Sequence, residues 1–376
     1  MTEHNTRPDD LSADSWQGGP HNRWAYQHID EILDTALVSR GDAAGLELPE
    51  GRPLDPPDLD AELRASCTDG LLVLHGREIR LERYLNGMTV ETRHLLMSVS
   101  KSVTGALFGR YVMQGDIDPR QPVVHYVAAL GGSAYADATV QQTLDMTVAV
   151  AYDEEYDDPD SAVQRHDRSG GWRGPRPDDP SGVREFLTTL RKDGEHGRAF
   201  RYCSANTDVL AWILEAVTGR PFPDLLSTEL WAHLGAQADA LVTVDREGFA
   251  FANAGMCATL RDLGRFGRMV LDGGVAGDGT QLVPRAWIDD IRRGGVPGTD
   301  FGTMPTALPL GSYRDQFWRT GDDHGCFFGV GIHGQFVWMN PATDTVVAKF
   351  SSLPEADEDD AFTSHVELLH RLSLTH

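Results

Sequence analysis

The run Leu95-Leu96-Met97-Ser98-Val99-Ser100-Lys101-Ser102-Val103-Thr104-Gly105 decides how this chain of 376 residues is read. Ser98 and Lys101 stand three apart at what reads as the start of a helix ending near Gly115, and three residues make nearly one helical turn. A hydroxyl and an amine would share one face, within hydrogen-bonding reach. Of the 33 basic residues only Lys101, Lys192 and Lys349 are lysines. Arginine stays charged near neutral pH, whereas a desolvated lysine can give up its proton and act as a base. Taken alone, the pair has a second reading as an ordinary helix start, with Ser98 as N-cap and Lys101 in solvent.

Around this run the pattern is mixed. Residues 1–60 are rich in Pro, Gly and Asp, with a helix expected over 24–35, and read as an arm packed on the body. Apolar runs at 71–74 and 79–84, separated by His75-Gly76-Arg77, read as a hairpin. Helical spacing recurs at 140–146, 183–191, 207–217, 225–233, 260–271 and 286–292. Between the first two lies an acidic, Gly- and Pro-rich stretch, 152–180, expected to be without regular structure. Strands return at 329–339 and 345–351, joined by a turn at 340–344, and an amphipathic helix at 362–374 closes the chain.

Strands early, helices in the middle and strands late predict an α+β protein: an antiparallel sheet flanked by helices, plus a mainly helical lobe. Residues 61–376 are expected to form one catalytic unit, with a sheet lobe over about 61–97 and 275–376 and a helical lobe over about 98–274.

A formal net charge of −24, with no Lys/Arg cluster to offset it, argues against nucleic acid or anionic membranes as partners. The N-terminus lacks the basic-then-apolar order of an export signal, and no apolar run has membrane-spanning length, so the expected location is cytoplasmic. Cys67, Cys203, Cys257 and Cys326 are scattered without the close pairs of a zinc site and are expected to be buried free thiols.

Several motifs fail on context. Gly329-Val330-Gly331-Ile332-His333-Gly334 fits the dinucleotide-binding spacing, but a strand pattern follows where a helix is needed. There is no Gly-x-Ser-x-Gly elbow. His365 and His370, five apart on the last helix, point to different faces and argue against a metal there. The acidic run 153–158 lacks calcium-loop spacing and reads as solvated surface.

Two further segments follow Ser98 in order. Phe200-Arg201-Tyr202-Cys203-Ser204-Ala205-Asn206 opens a periodic helix and offers a phenol for proton transfer. Ile332-His333-Gly334-Gln335 supplies a small residue where a substrate could approach a sheet edge. With these elements the chain resembles the serine hydrolases of the β-lactamase and penicillin-binding-protein superfamily, whose Ser-x-x-Lys, Tyr-x-Asn and Lys-Thr-Gly motifs would read Ser98-Val99-Ser100-Lys101, Tyr202-Cys203-Ser204 and His333-Gly334-Gln335. The last two depart from the pattern, and losing the third-motif lysine argues against β-lactamase or carboxypeptidase activity.

A narrower resemblance is to the 6-aminohexanoate-dimer hydrolases, nylon-oligomer-degrading relatives of the carboxylesterases. It is carried by His21-Asn22-Arg23-Trp24, His94 to Ser102, His166-Asp167-Arg168-Ser169, Tyr202 to Trp212 and Gly331 to Gln335. The resemblance implies a β-lactamase/DD-peptidase-like fold and a set of roles. Ser98 would be the nucleophile, Lys101 its base and Tyr202 the proton shuttle, with the backbone N–H groups of Ser98 and Ile332 as the oxyanion hole. Asp167 would hold a substrate ammonium, Asn253 would support amide cleavage, and Tyr156 would sit on a closing loop. Trp172, Trp318 and His333 would surround the cleft.

The implied activity is hydrolysis of linear amides of the 6-aminohexanoate-dimer type, or of other small amide or ester substrates, through an acyl-enzyme. The implied alternatives are a short-chain carboxylesterase with incidental amidase activity and a non-catalytic sensor. No metal or organic cofactor is expected, and a homodimer is suggested by family likeness.

Overall fold

The computed structural model describes residues 5–295, 307–356 and 359–375. Among them eleven strands form two antiparallel sheets: β1 (Thr35–Val38), β2 (Thr68–His75), β3 (Glu78–Tyr84), β4 (Arg93–Leu95), β5 (Ala240–Thr243), β6 (Met256–Thr259), β7 (Ser312–Arg314), β8 (Phe317–Arg319), β9 (Phe327–Gly331), β10 (Gln335–Asn340) and β11 (Thr345–Ser351). The large sheet has the order β3-β2-β11-β10-β9-β8-β7, joining both ends of the chain. A four-stranded sheet, β1-β5-β6-β4, was not expected from the sequence. Its strands are three or four residues long and come from distant parts of the chain, too short to show alternation. The N-terminal arm supplies one of them, and its Trp16 and Tyr26 are fully buried, so it is part of the core.

Both faces of the large sheet are covered, which is why β10 and β11 are buried at every position. The Leu260–Leu271 helix lies on one face, where Gly264 meets Leu72 and Gly267 meets Val346 and Val337. On the other face lies the Asp359–Leu374 helix, with Phe362 and His365 against Phe336 and His370 against Trp338. No described helix is long and apolar enough to cross a membrane.

Three expectations need correction. The helix expected over 24–35 is a single turn, Asn22–Ala25, then a 3-10 turn at Ile29–Glu31, broken at His28, which stacks on Trp24 at 4.3 Å. The strand expected over 329–339 is a hairpin, because His333 and Gly334 take left-handed backbone angles (φ 61° and 91°) and reverse the chain between β9 and β10. The stretch 152–180 contains a helix, Ala162–Ser169, N-capped by Ser161. Of its buried residues Val163 alone is aliphatic, and the rest are held by polar contacts that apolar periodicity does not register.

Candidate active site

Ser98 precedes the Val99–Gln114 helix, which ends as expected at Gly115 with φ 87°. Its first eleven residues are buried, polar ones included, so it runs through the interior with no solvent face. Gly105 and Gly109 allow this, since a Cβ on either would strike Asp315 and Gln316 or the Trp287 ring. Just before Ser98, Met97 holds a left-handed φ of 47°, turning β4 sharply into the helix.

Lys101 Nζ donates to Ser98 Oγ at 2.8 Å and to the Asn253 carbonyl at 3.0 Å, and the side chain is 1 % exposed. The solvated-lysine reading is therefore excluded. Burial draws its ammonium down to about 8, although the charges of Glu154 and Asp208 act in the opposite direction. Near neutral pH a minor fraction of the amine is thus neutral and able to act as a base beside the hydroxyl. The other two lysines differ: Lys192 pairs with Asp137 at the surface, and Lys349 is buried against Ser351 and His365 on β11.

Ser98 opens into a cleft of about 590 Å³ lined by Tyr156, Tyr202, Trp318, Ile332 and His333 among others. The Tyr202 ring lies 5.1 Å from Lys101 Nζ and stacks on Trp318 at 5.7 Å. The end of β9 presses on the nucleophile turn: a Cβ on Gly331 would come within 2.8 Å of Ser98 N and 2.7 Å of Leu96 O. This close approach sets the β9 end, and with it the start of Ile332, against the Ser98 turn. His333 Nδ1–H donates to the Leu353 carbonyl at 2.7 Å, and burial lowers its pKa to about 4, so the ring is neutral.

Asp167, Trp172 and Asn253 are not on the cleft lining. Asp167 is buried, accepts from Gln17 Nε2 at 3.1 Å and lies 3.5 Å from Arg173 Nε. Burial raises its pKa and Arg173 opposes the rise. Trp172 is in the core, edge-on to Trp16 and donating to Thr243 Oγ1 at 2.9 Å. Asn253 commits its amide to Asp208, through N at 3.0 Å and Nδ2 at 2.7 Å, and faces Lys101 only through its carbonyl.

Sequence reasoning assigns no role to Glu154 or Asp208. Glu154 sits in the run read as solvated surface, yet it accepts from Tyr156 OH at 2.6 Å and from Ser204 N at 2.7 Å, tying the loop to the turn after Tyr202. Nothing in an acidic run marks one carboxylate as different. Asp208 offered a signal, an acid on the strongly apolar Ala205–Thr218 helix; it is fully buried, and His166 Nε2 lies 3.0 Å from its Oδ2.

The β-lactamase family model matches residues 65–371, and the chain belongs to that family; it is a hydrolase built on the β-lactamase fold. Within the family it is 51% identical, over 92% of its length and 89% of the relative, to a 6-aminohexanoate-dimer hydrolase of Paenarthrobacter ureafaciens. A solved Bacillus anthracis structure provisionally given the same name superposes with a TM-score of 0.87 at 24% identity, covering 98% of each chain. A family VIII carboxylesterase superposes at 0.60 with 13% identity, covering 86% of this chain and 99% of its own.

Proposed function

We propose that this chain cleaves linear amide bonds of the 6-aminohexanoate-dimer type through an acyl-enzyme on Ser98. The observation that carries the proposal is the buried Lys101 amine 2.8 Å from Ser98 Oγ. Neutral Lys101 takes the hydroxyl proton as Oγ attacks the carbonyl carbon, and the oxyanion is met by the Ser98 and Ile332 amides. Tyr202 passes a proton to the departing amine, and the C–N bond breaks. Water then attacks the ester carbonyl, gives its proton to the same pair of residues and releases the acid, restoring Ser98.

A carboxylesterase for short acyl groups is the second reading. It is favoured by the state of Asp167, whose carboxylate is already engaged by Gln17 and Arg173 and must exchange partners to hold a substrate ammonium. Steady-state hydrolysis of the aminohexanoate dimer and of a short p-nitrophenyl ester, by the parent and by Asp167→Ala, separates the two. The amide reading expects the variant to lose dimer hydrolysis selectively. Equal retention of both activities favours the esterase.

A further inference from the structure

The β8–β9 loop and the last helix bring together side chains that the hydrolytic cleft does not use. Asp322, Cys326 and His370 each present a ligand atom, all within 4.8 Å of one another. His370 Nδ1 is 3.7 Å from Asp322 Oδ2, close to the ligand-to-ligand edge of about 3.3–3.8 Å in a tetrahedral zinc site. Asp322 Oδ1 is occupied by the backbone N–H groups of His324 (3.0 Å) and Cys326 (3.4 Å), which orients the other oxygen toward His370. The His324 ring lies 5.2 Å from that of His370, so a second imidazole stands beside the group.

The Trp338 ring lies edge-on to that of His370, with centroids 6.2 Å apart, and its indole N–H is buried without a hydrogen-bond acceptor.

We propose that Asp322, Cys326 and His370 form a binding site for a zinc-class divalent cation. The mixed oxygen, sulfur and nitrogen donors suit Zn²⁺ or Co²⁺ and disfavour Mg²⁺ or Ca²⁺. None of the three lines the Ser98 cleft, so the ion has a structural role. It fastens the loop after Trp318 to the helix that carries Phe362 and His365, and all three of those residues line the cleft. The sequence shows none of this, because Asp322, His324 and Cys326 alternate in a tight loop and His370 is far away in the chain.

The test uses tag-free full-length protein, stripped with a chelator and titrated with Co²⁺. The expected result is a near-ultraviolet sulfur-to-cobalt absorption band saturating at one equivalent. It should be lost in Cys326→Ala, retained in Cys67→Ala, and accompanied by a Zn²⁺-dependent rise in Tm that Cys326→Ala lacks. His370→Ala, whose ring is partly exposed, provides a variant that keeps the fold and should bind at least about tenfold more weakly. Ester hydrolysis confirms that each variant is folded. Absence of the band, its survival in Cys326→Ala, or unchanged affinity in His370→Ala overturns the proposal.

Discussion

The Val99–Gln114 helix and the 152–180 stretch flank the same cleft, and they are held in opposite ways. The first is buried through its first eleven residues and closely approached by neighbouring elements at two glycines, so that Ser98 and Lys101 have little freedom. Polar anchors hold the second: Arg168 with Asp179 at 2.7 Å and the Pro159 carbonyl at 2.8 Å, His166 beside Asp208, Gln164 with the Tyr156 carbonyl, and Glu154 with Tyr156 and Ser204. Close packing fixes geometry to fractions of an ångström, whereas a set of buried polar contacts can exchange partners when a ligand offers better ones. On the proposed mechanism the chemistry falls to the rigid wall and substrate selection to the exchangeable one.

The sharpest break comes on the rigid side. Ser98→Ala should lower kcat/KM for ester and amide alike by at least about 10⁴-fold, with Tm unchanged or raised; stopped-assay kinetics and a thermal melt read both. On the polar side, Arg168→Ala leaves the Asp179 carboxylate with only the Arg176 backbone N–H and should destabilise by about 2 kcal/mol. Its signature is a raised KM with a smaller change in kcat, seen by denaturant unfolding and steady-state kinetics together; the opposite split would place this segment in the chemistry itself.

Smaller effects refine the division. Arg173→Ala frees Asp167 and should lower KM several-fold for a substrate with an ammonium end, leaving a neutral ester unaffected. The pH dependence should rise toward about 8, because below that Lys101 is increasingly protonated and cannot accept a proton. Glu154 raises the pKa of Lys101, so Glu154→Gln removes that support and should move the ascending limb of the pH–rate profile to lower pH by about a few tenths of a unit. A shift to higher pH would contradict the assigned direction.

This division also explains what could be read in advance. The helix from Ser98, the β2–β3 hairpin, the Leu260–Leu271 helix and the closing helix were legible, because each carries apolar periodicity or punctuation by Gly. The Ala162–Ser169 helix was not: its inward face is Gln164, His166, Asp167 and Arg168, residue types that signal solvent until their partners are known. The reversal at His333 was equally hidden, since a left-handed histidine has no sequence signature and the run around it reads as one strand. Within the site, the hydroxyl, amine and phenol of Ser98, Lys101 and Tyr202 were legible as one group, and the fold brings them together. Glu154 and Asp208 were not, because their importance lies in what the fold sets against them.

The central claim, that Ser98 carries the acyl group and buried Lys101 activates it, is tested most directly by rapid-quench mass spectrometry of the protein mixed with a short p-nitrophenyl ester. The account predicts an acyl adduct on the Ser98 peptide within the first turnover, and its loss in Lys101→Ala. Rapid turnover with no adduct in the parent, or an adduct on another residue, would contradict it.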